Sequence, residues 1–216
     1  MKDKMKIHTL LKLLIVVSSG TGVFLSIYYA NFSLTTLTYF TNQSNLLIFI
    51  LYIFYLFIKK YKEPYITILY QGVLAIILTG VVYHLMLRPY IDPETFELNF
   101  WVDLLVHTIT PILVIVERII YGTKGILRTS HPLKWLAFPL FYYLFVLVYG
   151  FLGGYYHQGT EHQSKYPYFF LNIQEEGFFY FSLVLVLILM IGYLMVLFNR
   201  MIFFINHKKR GKYGIV

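Results

Sequence analysis

Apolar residues fall in six long runs along this chain, at 8–29, 37–58, 65–87, 100–121, 133–153 and 177–205, with short polar segments between them. Each run is long enough for a helix that crosses a hydrocarbon core, which takes about 20 residues at 1.5 Å each. Inside lipid, a segment must satisfy its own backbone N–H and C=O groups, which selects helices over open strands. The pattern predicts an all-α membrane protein: a six-transmembrane-helix bundle forming one integral-membrane domain over residues 1–216. The last run is longer than a bilayer requires, so its helix tilts or runs past the interface. The connection at 154–176 is rich in Tyr, His and Gly and is long enough to fold over a cavity mouth.

Composition narrows the class. Apolar types make up 58% of the residues and charged types only 13%, about half the charged share of a soluble domain. Cysteine is absent, which excludes disulfides and thiolate chemistry. The net charge of +8 would suit a nucleic-acid binder, but the position of the charges points elsewhere. Sixteen of the eighteen Lys and Arg residues lie on one side of a six-helix arrangement, in the N-terminal segment, the second and fourth hydrophilic segments and the tail. Only Arg88 and Lys165 fall on the other side. This positive-inside pattern places both termini in the cytoplasm. The basic segments then face anionic membrane lipid, and no nucleic acid is expected as a partner. The chain carries 21 Tyr and 20 Phe. Tyr29, Tyr39, Tyr61, Tyr90 and Tyr121 fit an interfacial belt, whereas Tyr52 and Tyr55 lie deeper, where a ligand-lining role stays open.

Ionisable and polar side chains within the spans each need a reason, because hydrocarbon does not solvate them. On the fourth helix, Asp103, His107, Thr110, Val114 and Glu117 share one stripe by helical rotation. Asp103 and His107 are one turn apart, so the carboxylate is placed to hold one imidazole nitrogen. Glu117, beside Arg118 at the cytoplasmic edge, reads as interfacial. On the second helix, Thr41, Ser44, Asn45, Tyr52 and Tyr55 share a face, with Gln43 pointing away. A polar run of this kind lines a cavity or bonds neighbouring helices. The third helix carries Gly80, His84 and Arg88 on one stripe, near enough to the fourth for His84 or Arg88 to meet Asp103. His157 and His162 lie in the outer connection and read as solvated. A depth comparison is imperfect. Thr41 lies about 27 Å above Lys59, and His107 about 16 Å above Arg118, at 1.5 Å per residue.

Two motifs resemble known sequences. The run Tyr39-Phe40-Thr41-Asn42-Gln43-Ser44-Asn45-Leu46-Leu47 and the run Asp103-Leu104-Leu105-Val106-His107-Thr108-Ile109-Thr110-Pro111 resemble the second- and fourth-helix motifs of a bacterial six-transmembrane branch of unassigned function. Leu87-Arg88 and the stretch Tyr166-Pro167-Tyr168-Phe169-Phe170-Leu171 are similar to that group as well. Both motifs also resemble the animal androgen-induced-gene family of integral-membrane threonine hydrolases. Those enzymes cleave esters between a fatty acid and a hydroxy fatty acid, using a catalytic Thr and His.

The resemblance implies a hydrolase of lipid esters in a bacterial plasma membrane, with Thr41 as nucleophile, His107 as base and Asp103 holding the imidazole. Asn42, Ser44 and Asn45 are the candidate oxyanion donors, and His84, Arg88 and Tyr52 the candidate substrate-binding groups. This chemistry needs no cofactor and no metal, and its substrate is a lipid-like small molecule that enters from the bilayer. Two other readings stay open. His84, Asp103 and His107 could hold zinc in a metal-dependent intramembrane hydrolase. Alternatively, the polar groups could line the pathway of a non-enzymatic lipid-binding or transport protein.

Overall fold

The computed structural model describes residues 2–57, 63–91, 100–156, 163–172 and 177–212. Six helices are long and apolar enough to cross a membrane: α1 Asp3–Tyr29, α2 Phe40–Phe57, α3 Pro64–Tyr90, α4 Phe100–Tyr121, α5 His131–Phe151 and α6 Phe179–Ile205. The chain is a multi-pass integral membrane protein, and among the described residues it has no strand. The sequence boundaries hold to within a few residues. The main shift is at α2, where the first polar residues form a 3-10 turn, Leu34–Thr38, ahead of the helix proper. Helix α6 continues past the apolar run, to Lys212.

Helix α3 is central. Its Leu69, Val73 and Ile76 pack with Ile15 of α1 and Ile48 and Leu51 of α2. Its Tyr70, Leu74 and Leu78 pack with Trp135 and Val146 of α5 and Ile188 of α6. Lipid supplies no hydrophobic drive between helices, so close backbone approach carries the packing. Helix α1 provides it with small residues. A Cβ on Gly20 would stand 2.7 Å from the Phe49 ring, and one on Gly22 would stand 2.6 Å from Val106.

Two helices change their winding where they face each other. Helix α3 turns from α to π over Tyr83–Leu87 and then to 3-10 over Arg88–Tyr90. Helix α4 is π-wound over Leu105–Ile109 before it resumes as α from Thr110. Proline explains the second. Pro111 has no N–H to give the His107 carbonyl, and its ring would crowd that carbonyl in a regular α-turn. The chain widens instead, and Thr110 N–H bonds to Leu105 O. Pro89 stands in the same relation to Leu85 on α3. Such π-turns mark functional sites more often than chance. Gly80 lets the two helices meet there, since a Cβ on it would lie 3.1 Å from the freed His107 carbonyl oxygen.

The winding change alters the sequence-derived stripe on α4. Val106, Thr110, Val114 and Glu117 form the deepest line. Thr110 donates to Ser18 of α1 at 3.0 Å, so it is separated from Asp103 and His107.

Candidate active site

Thr41 stands in the first turn of α2. Membrane threonines ordinarily bond a carbonyl three or four residues back, and Thr79 does so with Ala75 at 3.0 Å. At Thr41 the carbonyl four residues back, Leu37 O, belongs to the preceding 3-10 turn and accepts from Gln43 Nε2 at 3.1 Å. The Thr41 hydroxyl turns instead to α4, where Oγ1 lies 3.2 Å from Nε2 of His107.

His107 is held on three sides. Its ring stacks on Tyr83 of α3, with centroids 3.7 Å apart and planes 5° from parallel. Its Nδ1 faces Asp103 Oδ1 at 3.4 Å. That distance brings the charges together but leaves Nδ1 without an aligned hydrogen bond. The carboxylate nevertheless favours the proton on Nδ1, which leaves the Nε2 lone pair facing the Thr41 hydroxyl. His107 is 9% exposed, so little water competes for that proton.

The depth mismatch closes on a direct contact between the two helices. Tyr52 and Glu117 meet at 2.8 Å, which puts α2 and α4 in register over the whole interval from Thr41 and His107.

Thr41 also lines a narrow cleft of about 50 Å³ between α2, α3, α5, α6 and the outer segment. Its walls are apolar, among them Leu78, Val82, Val184 and Ile188, and its polar groups are Thr41, Thr79, Tyr142, Tyr143 and Tyr168.

The remaining sequence-derived residues are placed differently from expectation. The oxyanion donors on α2 are already engaged. Asn42 Nδ2 donates to Ser26 Oγ and Thr36 O, both at 2.8 Å. Asn45 Nδ2 donates to Thr41 O at 2.9 Å and Val106 O at 3.1 Å. Two carbonyl acceptors fix the Asn45 amide, because a flip would set oxygen against oxygen. The Ser44 hydroxyl lies between Thr41 O and Thr79 Oγ1, at 3.0 and 2.8 Å. Thr79 gives its own proton to Ala75 O, so Ser44 serves the helix contact. All three are structural bonds that hold α2 against its neighbours.

Tyr52 is also reassigned, since it is fully buried at the far end of α2 and bonded to Glu117. His84 is exposed and pairs with Thr108 at 3.0 Å. Arg88 and Asp103 both lie near the Tyr83 hydroxyl. Among the described residues, no three His, Asp or Glu side chains converge to hold a metal ion, so His84, Asp103 and His107 are not a ligand set. His157 and His162 lie outside the described residues.

Sequence reasoning missed two features. The first is Tyr168, which folds back from the outer segment to line the cleft beside Phe40 and Thr41. Burial pushes its hydroxyl above the ordinary tyrosine range, so it stays a donor at neutral pH. The Tyr-Pro-Tyr-Phe-Phe run was the available signal.

The second is Glu117, which is buried rather than interfacial. Its Oε1 lies 2.7 Å from His8 Nε2, its Oε2 accepts from Tyr52, and the Arg118 guanidinium bonds both oxygens. Lys12 sits over the Tyr55 ring at 3.6 Å. The i to i+1 charge pair read as interfacial because nothing local in the sequence names His8 and Tyr52 as its partners.

Comparison with protein-family models, with curated proteins and with solved structures returned no match.

Proposed function

We propose that the chain is an intramembrane hydrolase of lipid esters, with Thr41 as nucleophile and His107 as general base. One observation carries this reading: a threonine hydroxyl at 3.2 Å from a buried imidazole nitrogen, on a threonine that lines an apolar cleft. In the first step His107 Nε2 takes the Thr41 proton as Oγ1 bonds to the ester carbonyl carbon. The carbon–oxygen bond to the alcohol then breaks, and Nε2 returns the proton to the leaving oxygen. Water repeats the sequence on the acyl-threonine, again through His107, and releases a fatty acid. Asp103 holds the imidazole and steadies its charged form. The cleft walls are mostly apolar, which supports a lipid ester over a polar substrate.

The two motifs extend the proposal. Their resemblance to the androgen-induced-gene family supports a fatty-acid ester of a hydroxy fatty acid as the substrate class, and the bacterial branch supports a plasma-membrane location. The distribution of Lys and Arg supports cytoplasmic termini, which puts the Thr41 end of the bundle on the outer side.

A fluorophosphonate probe tests the reading directly. Purified protein is expected to be labelled at Thr41, and Thr41→Val to be silent while still folded. Labelling that survives Thr41→Val would overturn the nucleophile. A folded wild type that neither labels nor hydrolyses long-chain esters would favour a lipid-binding protein.

A further inference from the structure

Acyl transfer to Thr41 places negative charge on the ester carbonyl oxygen, and the donors of Asn42, Ser44 and Asn45 are engaged elsewhere. A different set of donors surrounds the hydroxyl. The first backbone hydrogen bond into α2 runs from Gln43 N–H to Tyr39 O, so the N–H groups of Phe40 and Thr41 precede the helical ladder. They are the orphan donors of a helix start, at the positive end of an 18-residue helix. Tyr168 and Tyr142 line the same cleft as Phe40 and Thr41.

Tyr142 supplies an independent observation. It is 6% exposed, its hydroxyl has no hydrogen-bond partner, and it lines the same cleft as Thr41. A buried hydroxyl without a partner is costly, and an oxygen ligand at this spot would remove that cost.

We propose that the Tyr168 hydroxyl and the Phe40 and Thr41 N–H groups form the oxyanion site, with Tyr142 as a further donor, and that the same site holds a long-chain fatty-acid carboxylate. The assignment rests on the Thr41 reading for its catalytic role, but carboxylate binding does not require turnover. A carbonyl carbon bonded to Thr41 Oγ1 carries its oxygen among these groups. The outer segment thus contributes a catalytic residue as well as a cover.

Palmitate and hexadecanol share a chain length and differ in the charged head. Binding of each is measured on purified, detergent-solubilised wild type, Tyr168→Phe and Tyr142→Phe, with melting curves to confirm folding. A hydrogen bond to a charged group supports roughly a 10- to 100-fold loss of palmitate affinity in Tyr168→Phe, with hexadecanol unchanged. The loss in Tyr142→Phe is expected to be smaller. Where esters are turned over, Tyr168→Phe should lower kcat by roughly 10²-fold.

Palmitate that binds Tyr168→Phe as well as it binds wild type overturns the assignment, as does a wild type that binds no palmitate. Equal loss of both ligands would make Tyr168 a packing residue only and would also overturn it. A wild type with the palmitate signature and no hydrolysis would remove the hydrolase reading and leave this site standing. Full kcat in Tyr168→Phe would do the reverse.

Discussion

The Thr41 hydroxyl meets His107 Nε2 at 3.2 Å across 66 positions of sequence, and that contact depends on two local irregularities. The chain changes from a 3-10 turn to α-helix just before Thr41, and Gln43 bonds the Leu37 carbonyl there. Pro111 forces the π-turn that carries His107. If the pair acts as one unit, Thr41→Val and His107→Ala should each lower ester hydrolysis by at least about 10³-fold, and the double variant should be little worse. Thr41→Ser should retain part of the activity because it keeps the hydroxyl. Steady-state rates on a long-chain ester decide it, and full activity in either single variant would sink the dyad.

Asp103 should matter less than in an ideal triad. Its oxygen is 3.4 Å from Nδ1 with poor alignment, and its side chain is 17% exposed. Asp103→Asn is expected to lower kcat by roughly 10²-fold, below the roughly 10⁴-fold seen where the carboxylate is buried and aligned. A structural salt link to Arg88 makes a different forecast, a coupled loss of melting stability in a double-mutant cycle with Arg88→Gln. Unchanged kcat together with such coupling would move Asp103 out of the mechanism.

The six spans were legible because lipid allows one solution to a long apolar run, and His107 stood out because an ionisable side chain in such a run needs a partner, whereas Thr41 was singled out only by the motif resemblance. The oxyanion candidates misled for a physical reason. Asn42, Ser44 and Asn45 are equally suited to hold a helix or a substrate, and composition does not distinguish the two. Glu117 was misread because burial of a charge is decided by residues far away in the chain, here His8 and Tyr52. The π-turns shifted the α4 face in a way that a uniform 100° rotation does not capture. Pro111 was the visible warning.

Gly80 offers a test of the contact between the π-turns. A Cβ there would lie 3.1 Å from His107 O and 3.3 Å from the Pro111 ring. Gly80→Ala requires a shift of a few tenths of an ångström, whereas Gly80→Val drives α3 away from His107. The expected outcome is a graded loss of activity, with Val well below Ala, and a cost of about 1–3 kcal/mol for Val. Wild-type rates in Gly80→Val would show that the approach of α3 does not position the base.

Orientation is testable because the chain has no native cysteine. Thr129 and Lys165 are exposed on opposite sides of α5 along the chain. In intact cells an impermeant thiol reagent should label Lys165→Cys and spare Thr129→Cys until the membrane is opened. The reverse pattern would invert the bundle and put the Thr41 site on the cytoplasmic side.

The buried charge cluster makes the sharpest stability forecast. Glu117 is fully buried and takes bonds from His8, Tyr52 and Arg118. Glu117→Ala leaves the Arg118 guanidinium buried without its carboxylate, with Lys12 close by. Removing one partner of such a pair costs about 3–5 kcal/mol, which is a large part of the stability of an ordinary domain. Replacing both charges, as in Glu117→Met with Arg118→Met, removes the stranded cation and should recover much of that loss. His8 is partly exposed, so His8→Gln should cost far less. The cluster lies about 16 Å from Thr41, given eleven residues of α2 at 1.5 Å each, so ester hydrolysis per folded molecule should be nearly unchanged in all three. Unfolding in detergent, followed by circular dichroism, gives the order: wild type, His8→Gln, the double Met variant, then Glu117→Ala. Glu117→Ala as stable as wild type would mean that Arg118 finds another partner or reaches water. A selective loss of activity with stability intact would instead tie the cluster to the chemistry.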